Sequence, residues 1–527
     1  MADLSLDYVS PLPPVRTGIA DYSVDLLPHL EPFCDLRVIR LPDQPVADDV
    51  VERWQPVSAE RLGEGGRLPL YHMGNNHHHL AVERLAMDRP GVVTLHDLVL
   101  HHFLLGKTVG GDDFHTYRRR LGLEHGWVGE AAAMAVRWGA WGDSLQFALP
   151  AHRRLIRRQR GVLVHSEWAR EVLLEDEPDL QVRTVPMGIP LPPPVEMDRG
   201  AAFRDRVGIP AEAPLLGAFG FQTPMKRADV AISAMASEAL HDVHLVVAGE
   251  VAPTLDLESA AAEAGVTERV HVTGFLAYDE FEAAIAATDL CLNLRYPSAG
   301  ETSAALLRTL ALGRPTVVSE YAQFAELPSA AAIKVPVGEG EVEALVGAAG
   351  ELLADRGRLQ EMGEAAREYV RVRHDPAAAA RAVVGACREL SDNTHQRRPL
   401  EVPAPSSMTW SRLTGEIEVS GCEPPWPAGE RRSLKVRMTN RGPARWLAGG
   451  RGPGGVVLQL VLESSGRDLL AREPWPALQR DLAPGESEVV EVTVRRPPGP
   501  ACLRIEPHVL GNRGFSDLGG PTWESEI

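Results

Sequence analysis

The chain has 527 residues, of which 44% are apolar and 24% are charged, and its formal net charge is −18. This length predicts more than one domain, and this composition is typical of an ordinary soluble globular protein. The acidic excess argues against general binding to nucleic acid, because a phosphate backbone requires a basic surface. We therefore expect no nucleic-acid partner.

The cysteines are odd in number, scattered and without CxxC spacing, which predicts neither a disulfide framework nor a zinc site. They are Cys34, Cys291, Cys387, Cys422 and Cys502. The first residues lack a basic start followed by an apolar run, and no segment approaches the ~20 apolar residues of a membrane span. A cytoplasmic protein is the expectation.

Strands and helices alternate through the first part of the chain, which predicts a parallel α/β sheet. Strands are predicted at 4–10, 36–41, 68–72, 91–95, 161–165 and 182–185. Gly18 lies in the loop after the first strand, where it allows the backbone to approach a ligand closely. Either Thr17 or Asp21 can cap the helix that follows.

Polar residues follow the predicted strand that ends near His72. Asn75 and Asn76 come first, and a run of three histidines occupies positions 77–79. Ligands of open α/β sheets bind at the carboxyl ends of strands, so both asparagines are candidates for the cleft or for acceptor binding. Because adjacent histidines lack the spacing of metal ligands, a polar cleft loop is preferred to a metal site.

His96 and Asp97 follow the next predicted strand and are candidates for the same edge of the sheet. A histidine there can contact substrate hydroxyl groups or assist proton movement. The alternative is a structural histidine bonded to the backbone, and the position at a strand end favours the functional interpretation. Asp97 is a candidate cleft residue for the same reason.

Arginines are concentrated in the predicted helical region at 112–160, and five of them lie within 153–160. A solvated helix face is the preferred explanation. The sharper alternative is contact with an anionic acceptor or with a lipid surface, which would place the protein at the inner face of a membrane.

A proline-rich linker at 186–198 separates this region from a second α/β region. The second region opens with a strand from Pro214, a glycine-containing loop, and then Lys226 and Arg227. These two cations suit a diphosphate, because an ammonium and a planar guanidinium neutralise separate oxygens.

A second anion site is predicted where a buried strand at 289–294 leads through a loop into a helix. Gly300, Thr302 and Ser303 lie at the start of this helix, where backbone N–H groups and the helix dipole favour phosphate. Glu301 would repel a phosphate unless its side chain turns towards hydroxyl groups of a ribose or sugar. The combination predicts a nucleotide-sugar site.

The last part of the chain changes character. Residues 391–412 have the composition of a linker, and residues 413–527 show short alternating strands separated by Gly/Pro turns. This pattern predicts an antiparallel sandwich of immunoglobulin-like type. Trp446, Trp475 and Trp523 either form a sugar-stacking surface or pack in the core, and core packing is preferred.

Eight phrases in order make the chain resemble the retaining GT-B glycosyltransferases of family 4. They are TGIADYS, VVTLHD, VLVHSEWARE, VPMGI, FGFQTPMKRAD, HLVVAGE, VHVTGF and GETSAALLRTLALGRPTVVS. The resemblance implies two Rossmann-like lobes that face each other across a cleft, an acceptor lobe at 1–190 and a donor lobe at 191–390. It also implies transfer of a hexose from a nucleotide sugar to a glycan or lipid-linked glycan with retained configuration, usually without a bound metal or other cofactor.

By the same resemblance, Gly18 matches the glycine under the donor diphosphate, His96 the cleft histidine beside the transferred sugar, and Lys226 the diphosphate lysine. His96 and Glu301 are the expected catalytic residues. The chain departs from the family pattern at Phe221, where many members have an arginine that Arg227 or another cation is expected to replace.

The family's pair of glutamates is also altered, since Glu301 falls one position late and Arg308 stands where the second glutamate would be. Two alternatives to a transferase therefore stay open: a nucleotide-sugar epimerase of the same fold, and a non-catalytic sugar-binding or assembly protein.

Overall fold

The computed structural model describes residues 4–140, 142, 144–192, 197–392, 406–407, 413–449, 455–464, 469–473, 478–509 and 520–527. The chain divides into two compact units, one formed by 1–113 with 143–399 and the other by 114–142 with 400–527. The segment 114–142, which the sequence grouped with the first lobe, therefore belongs to the C-terminal unit.

The first lobe is built on a parallel sheet of seven strands in the order β3-β2-β1-β4-β5-β6-β7. Because helices cover both faces, the central strands read as continuous apolar runs such as LPLYHM. Its elements are β1 (Ser5–Val9), α1 (Gly18–Leu30), β2 (Asp35–Arg40), α2 (Asp48–Trp54), β3 (Val57–Ser58), β4 (Leu68–Met73), α3 (Leu80–Asp88), β5 (Val92–Leu95), α4 (His101–Thr108), α6 (Ser144–Ala148), α7 (Arg153–Arg158), β6 (Gly161–Val164), α8 (Glu167–Asp176) and β7 (Val182–Thr184). Helix α5 (Phe114–Arg137), which follows α4 in the chain, belongs to the C-terminal unit.

The second lobe is a parallel sheet of six strands in the order β10-β9-β8-β11-β12-β13. Its elements are α9 (Met197–Val207), β8 (Leu215–Phe219), α10 (Ala228–Ala234), β9 (His244–Ala248), α11 (Leu257–Glu263), β10 (Val270–Gly274), α12 (Tyr278–Ala287), β11 (Leu290–Asn293), α13 (Ala304–Ala311), β12 (Thr316–Ser319), β13 (Ile333–Val335), α14 (Glu341–Ala354), α15 (Arg356–Arg373) and α16 (Pro376–Ser391). The two Rossmann-like lobes expected from the sequence are therefore present.

Helix starts follow the local capping signals. The Thr17 side chain accepts a hydrogen bond from the N–H of Ala20 at the start of α1, and Asp375 caps α16 ahead of Pro376. Of the two caps predicted for α1, Thr17 is the one used.

The end of the second lobe crosses back to the first. Helix α16 packs against α1, and a Cβ added at Gly161 on β6 would come within 2.6 Å of Leu390. The linker is bonded to the residues just before α16, because His374 Nδ1 lies 2.9 Å from the carbonyl oxygen of Met187. Packing therefore assigns α16 to the first lobe, although the sequence grouped residues up to 390 with the second.

The C-terminal unit contains a sheet of three strands (β14-β15-β19) and a sheet of five (β16-β17-β20-β21, with β18 on β17). An all-β region therefore follows the two lobes, as predicted, and its immunoglobulin-like type stays a prediction. Its strands are β14 (Gly415–Ser420), β15 (Arg431–Asn440), β16 (Leu447–Ala448), β17 (Gly455–Ser464), β18 (Leu469–Glu473), β19 (Ser487–Arg495), β20 (Ala501–Val509) and β21 (Trp523–Glu526).

The three tryptophans predicted for this region have different positions. Trp446 is fully buried in the core of the unit, and Trp523 is partly buried against that core. Trp475 lies outside the described residues. The preferred prediction, core packing, therefore holds for Trp446. Among the described helices, none combines the length and hydropathy that a membrane-spanning segment needs.

Candidate active site

The start of α13 is built as the sequence predicts. Ser303 is its N-cap, accepting a hydrogen bond from the N–H of Leu306 at 3.2 Å and donating one to Asn293 Oδ1 at 3.1 Å. Thr302 lies immediately before this cap in the loop that leads from β11. The first turn of α13 therefore presents backbone N–H groups at the carboxyl end of the second-lobe sheet.

Gly300 adopts a left-handed conformation with φ of +79°, which favours glycine. A Cβ at this position would come within 2.5 Å of Leu98 in the first lobe. The glycine therefore serves the approach of the two lobes as well as the backbone conformation of the loop.

Glu301 turns back on its own loop. Its Oε1 lies 2.8 Å from Arg295 Nε, and its Oε2 accepts the N–H of Ala299 at 3.0 Å. Arg295 is 5% exposed, so this ion pair is largely shielded from water. The structure places Glu301 in the predicted loop, with its carboxylate engaged by an arginine that the sequence reasoning overlooked.

Lys226 lies beside the start of α13. Its Nζ donates to the carbonyl of Phe219 at 2.8 Å, and a Cβ added at Gly220 would meet both this Nζ, at 2.8 Å, and Ala305 in the first turn of α13, at 3.7 Å. Burial of the ammonium, reinforced by nearby Arg295, lowers the pKa of Lys226 to about 7 against the opposing influence of Glu301. An anion bound here would restore its charge.

Arg227 is directed elsewhere. Its guanidinium pairs with both carboxylate oxygens of Glu341, a residue that is 1% exposed. Hydrogen bonding to Glu341 is the main cause that raises the pKa of Arg227. The charge predicted to substitute for the missing family arginine is thus already paired within the second lobe.

The first lobe contributes the start of α1. A Cβ added at Gly18 would meet no protein atom within 4 Å, so the helix start is open at this residue. The neighbouring loop is close by, since a Cβ added at Gly74 would lie 2.4 Å from Ile19 and 2.9 Å from His79. The starts of α1 and of the loop after β4 therefore border the same space.

Asn75 and Asn76 shape that loop. The Asn75 side chain accepts the N–H of Phe103 at 3.0 Å, and its backbone N–H donates to Asp97 at 2.9 Å. The Asn76 side chain caps the short histidine turn by accepting the N–H of His78. Both predicted cleft residues thus hold the loop in place through their own hydrogen bonds.

His96 is the middle member of a buried row of three histidines. Its Nε2 lies 3.0 Å from His72 Nδ1, and its Nδ1 lies 3.3 Å from His165 Nε2. Burial is the first cause that lowers all three pKa values, to about 3 for His72 and about 4 for His165. The row is therefore neutral at physiological pH.

Asp97 is partly exposed, whereas the preceding residue, His96, is 5% exposed. Burial of the carboxyl, reinforced by Glu301, raises the pKa of Asp97 to about 7, while the Asn75 N–H and Arg295 oppose this. The carboxyl groups of Asp97 in the first lobe and Glu301 in the second therefore interact electrostatically.

Backbone hydrogen bonds join the lobes at this point. The N–H groups of Leu98 and Val99 both donate to the carbonyl of Ala299, at 2.7 and 3.1 Å. A second contact lies nearby, where Arg308 sits 3.6 Å from Asp25. The structure thus brings residues 97–99 of the first lobe next to the loop 299–301 of the second, and Arg227 is directed away from that loop.

Arginines of α7 form ion pairs within the first lobe. Arg153 and Arg157 both contact Glu177, at 2.8 and 3.2 Å, and Arg154 lies 3.7 Å from Glu83. Much of the charge considered for an acceptor or lipid surface is therefore neutralised within the lobe. Within the described residues, no group of three or more His, Cys, Asp or Glu side chains is arranged to hold a metal ion.

Residues 201–369 match the family model described as glycosyl transferases group 1. These residues form most of the second lobe, which is therefore similar to a group 1 glycosyl transferase domain. A curated relative, the 2-deoxystreptamine glucosyltransferase of Streptomyces kanamyceticus, is 32% identical over 162 residues, which are 28% of this chain and 41% of that protein.

Two solved structures share the fold. The sucrose-phosphate synthase of Thermosynechococcus elongatus matches with a TM-score of 0.52 at 17% identity, over 73% of this chain and 99% of its own. HepE of Anabaena, solved in complex with UDP and glucose, matches with a TM-score of 0.51 at 13% identity, over 73% of this chain and 100% of its own. The two lobes therefore have the GT-B fold.

Three site residues escaped the sequence reasoning: His72, His165 and Arg295. His165 directly follows β6 and Arg295 lies shortly after β11, so a position just beyond a strand end could have identified both. His72 is the last residue of the strand predicted at 68–72, so the same signal covered it, and in the structure it lies one residue inside the end of β4.

Proposed function

We propose that this protein is a retaining glycosyltransferase that moves a hexose from a nucleotide sugar to a glycan or lipid-linked glycan acceptor. The observation that carries the proposal is the position of the Lys226 ammonium beside the first turn of α13, within the group 1 glycosyl transferase domain. The name of the glucosyltransferase relative and the complex of HepE with UDP and glucose support the choice of donor class.

Stabilisation of the leaving group is the main chemical task in this proposal. Loss of a nucleoside diphosphate develops negative charge on phosphate oxygens while the sugar becomes oxocarbenium-like. Lys226 and the N–H groups at the start of α13 would stabilise that charge, and the open start of α1 at Gly18 would approach it from the first lobe.

Exclusion of water is the second task, because an unprotected donor would be hydrolysed. The hydrogen bonds from Leu98 and Val99 to Ala299 join the lobes beside Glu301 and Asp97. In the proposed closed state, these backbone hydrogen bonds would help to exclude water beside the two side chains. Lobe movement about the 186–198 linker would admit the donor and release the product.

The proposal needs no metal or other cofactor, since a lysine and helix N–H groups perform the neutralisation. Turnover should therefore be insensitive to EDTA. The acceptor assignment and a cytoplasmic location are parts of the same proposal. Contact with a membrane through 153–160 has weaker support, because the contacts of α7 neutralise several of its arginines.

The test is a binding screen of UDP, GDP and ADP and their glucose conjugates against the full chain by calorimetry, followed by turnover assays. We expect one nucleotide to bind selectively and its sugar conjugate to be consumed only when an acceptor is present. Release of free sugar without an acceptor would favour an epimerase, and no binding at millimolar concentration would favour the non-catalytic alternative.

A further inference from the structure

The row His72–His96–His165 has a fixed pattern of protons. The carbonyl of Val185 can only accept, so His165 Nδ1, which lies 3.0 Å from it, carries a hydrogen. Neutral His165 then accepts at Nε2, which requires His96 to donate from Nδ1 and to accept at Nε2. His72 donates that last bond from its Nδ1.

This pattern leaves His96 without a free ring nitrogen. Both of its nitrogens face other histidines, and the residue is 5% exposed. A substrate hydroxyl would have to displace a buried hydrogen bond to reach it, which carries a substantial desolvation cost. The side chain of His96 therefore stabilises the local structure and does not contact a substrate.

Asp97 has the complementary properties. Among the described residues its carboxyl has one hydrogen bond, in which Oδ2 accepts the N–H of Asn75, and this leaves Oδ1 available. Glu301 and Arg295 act on it electrostatically from the second lobe, and the same two residues act on Lys226. The N–H of Leu98, the next residue, donates to the carbonyl of Ala299 at 2.7 Å, so Asp97 lies beside the loop that carries Glu301.

We propose that the carboxyl of Asp97, and not the imidazole of His96, binds a hydroxyl group of the transferred sugar, and that His72 and His165 are positioning residues which hold the 96–97 backbone. This inference rests on the proposed function, because it assigns the sugar end of the same donor. A carboxyl group suits the task, since it accepts hydrogen bonds in either protonation state and also donates one when protonated.

The experiment separates the sugar from the nucleotide. The affinity of the full chain is measured by calorimetry for the nucleoside diphosphate that binds among UDP, GDP and ADP, and for its glucose conjugate. Asp97→Ala should weaken binding of the conjugate by about 10-fold or more, while the diphosphate alone stays within about 2-fold. Asp97→Asn, which keeps an acceptor and the size of the side chain, should give a smaller loss.

The positioning role is tested in two backgrounds. His72→Phe should weaken conjugate binding in the wild-type chain but cause no further loss in Asp97→Ala, and His72→Gln should restore part of the affinity through its amide donor. His101→Phe is the matched control, because His101 is equally buried in the same lobe, bonded to the Leu149 carbonyl and outside the row. It should leave the ratio of the two affinities unchanged.

Several results would overturn the inference. Equal losses for the diphosphate and its conjugate in Asp97→Ala would indicate a merely structural role, and no loss would remove the contact altogether. Equal effects of His72→Phe in both backgrounds would show that the row does not act through Asp97. Failure of the wild-type chain to bind any of the three nucleotides would refute the proposed function as well, and this appears before any variant is made.

Discussion

The two sides of the cleft differ in the charge of their polar groups. On the second-lobe side, the cationic residues Lys226 and Arg295 lie near the acidic Glu301 in the loops that lead into α10 and α13. On the first-lobe side, the buried groups are neutral histidines that satisfy one another. This difference favours a highly charged ligand at the second lobe and, under the proposed function, an uncharged sugar at the first.

The largest expected effect is loss of the ammonium on the charged side. Lys226→Met should lower turnover by about 10²–10³-fold, the range seen when one donor to a developing anion is removed. Lys435→Met, the same change at an exposed position on β15 of the C-terminal unit, is the control and should leave turnover unchanged. Turnover within a few-fold of wild type in Lys226→Met would remove the charged side from the mechanism.

A pair of glycines compares the two sides directly. Gly300→Ala should destabilise the protein by about 1–3 kcal/mol, because the residue has φ of +79° and its new Cβ would collide with Leu98. Gly18→Ala meets no protein atom within 4 Å and should change stability by no more than about 0.5 kcal/mol. Urea unfolding measures both.

Nucleotide binding gives the second part of that comparison. Gly18→Ala should still weaken nucleotide binding, since the added methyl group occupies the open helix start proposed for the diphosphate. If Gly300→Ala were as stable as wild type, this result would show that the two lobes do not approach each other closely at Leu98. If Gly18→Ala bound nucleotide normally, the first lobe would have no part in the diphosphate site.

The charged side should also take up protons. The pKa of Lys226 is about 7 and a bound anion raises it, so binding at pH 8 should take up about 0.9 proton, and uptake should fall towards zero at pH 6, where the amine is already protonated. Calorimetry in buffers of different ionisation enthalpy measures this. Lys226→Arg keeps the charge and should abolish the uptake due to this residue; unchanged uptake would assign it to Asp97.

The smallest effect concerns the ion pair that crosses the cleft. Arg308 lies 3.6 Å from Asp25, both side chains are partly exposed, and a double-mutant cycle with Arg308→Gln and Asp25→Asn should give about 0.5–1 kcal/mol of coupling. The exposed pair Arg358–Glu351 at 3.5 Å is the control and should couple more weakly. Equal coupling in both pairs would show that the lobes do not shield the first.

The sequence predicted much of this because its signals are local. Alternating apolar strands and capped helices specify parallel α/β lobes, and Thr17 and Ser303 are caps that act within four residues of the helix they start. The position of Lys226 after a glycine-containing loop and at the start of a helix was also predictable, since a strand, loop and helix form one continuous segment.

Which side chains are available for a ligand depends on contacts between residues that are distant in sequence. Arg227 pairs with Glu341, which is 114 positions away, and His96 is enclosed by His72 and His165 from neighbouring strands. The assignment of α16 to the first lobe likewise depends on packing against α1. Such pairings arise because parallel strands distant in sequence end at one edge of a sheet, where burial and competing partners determine each group's charge and hydrogen bonds.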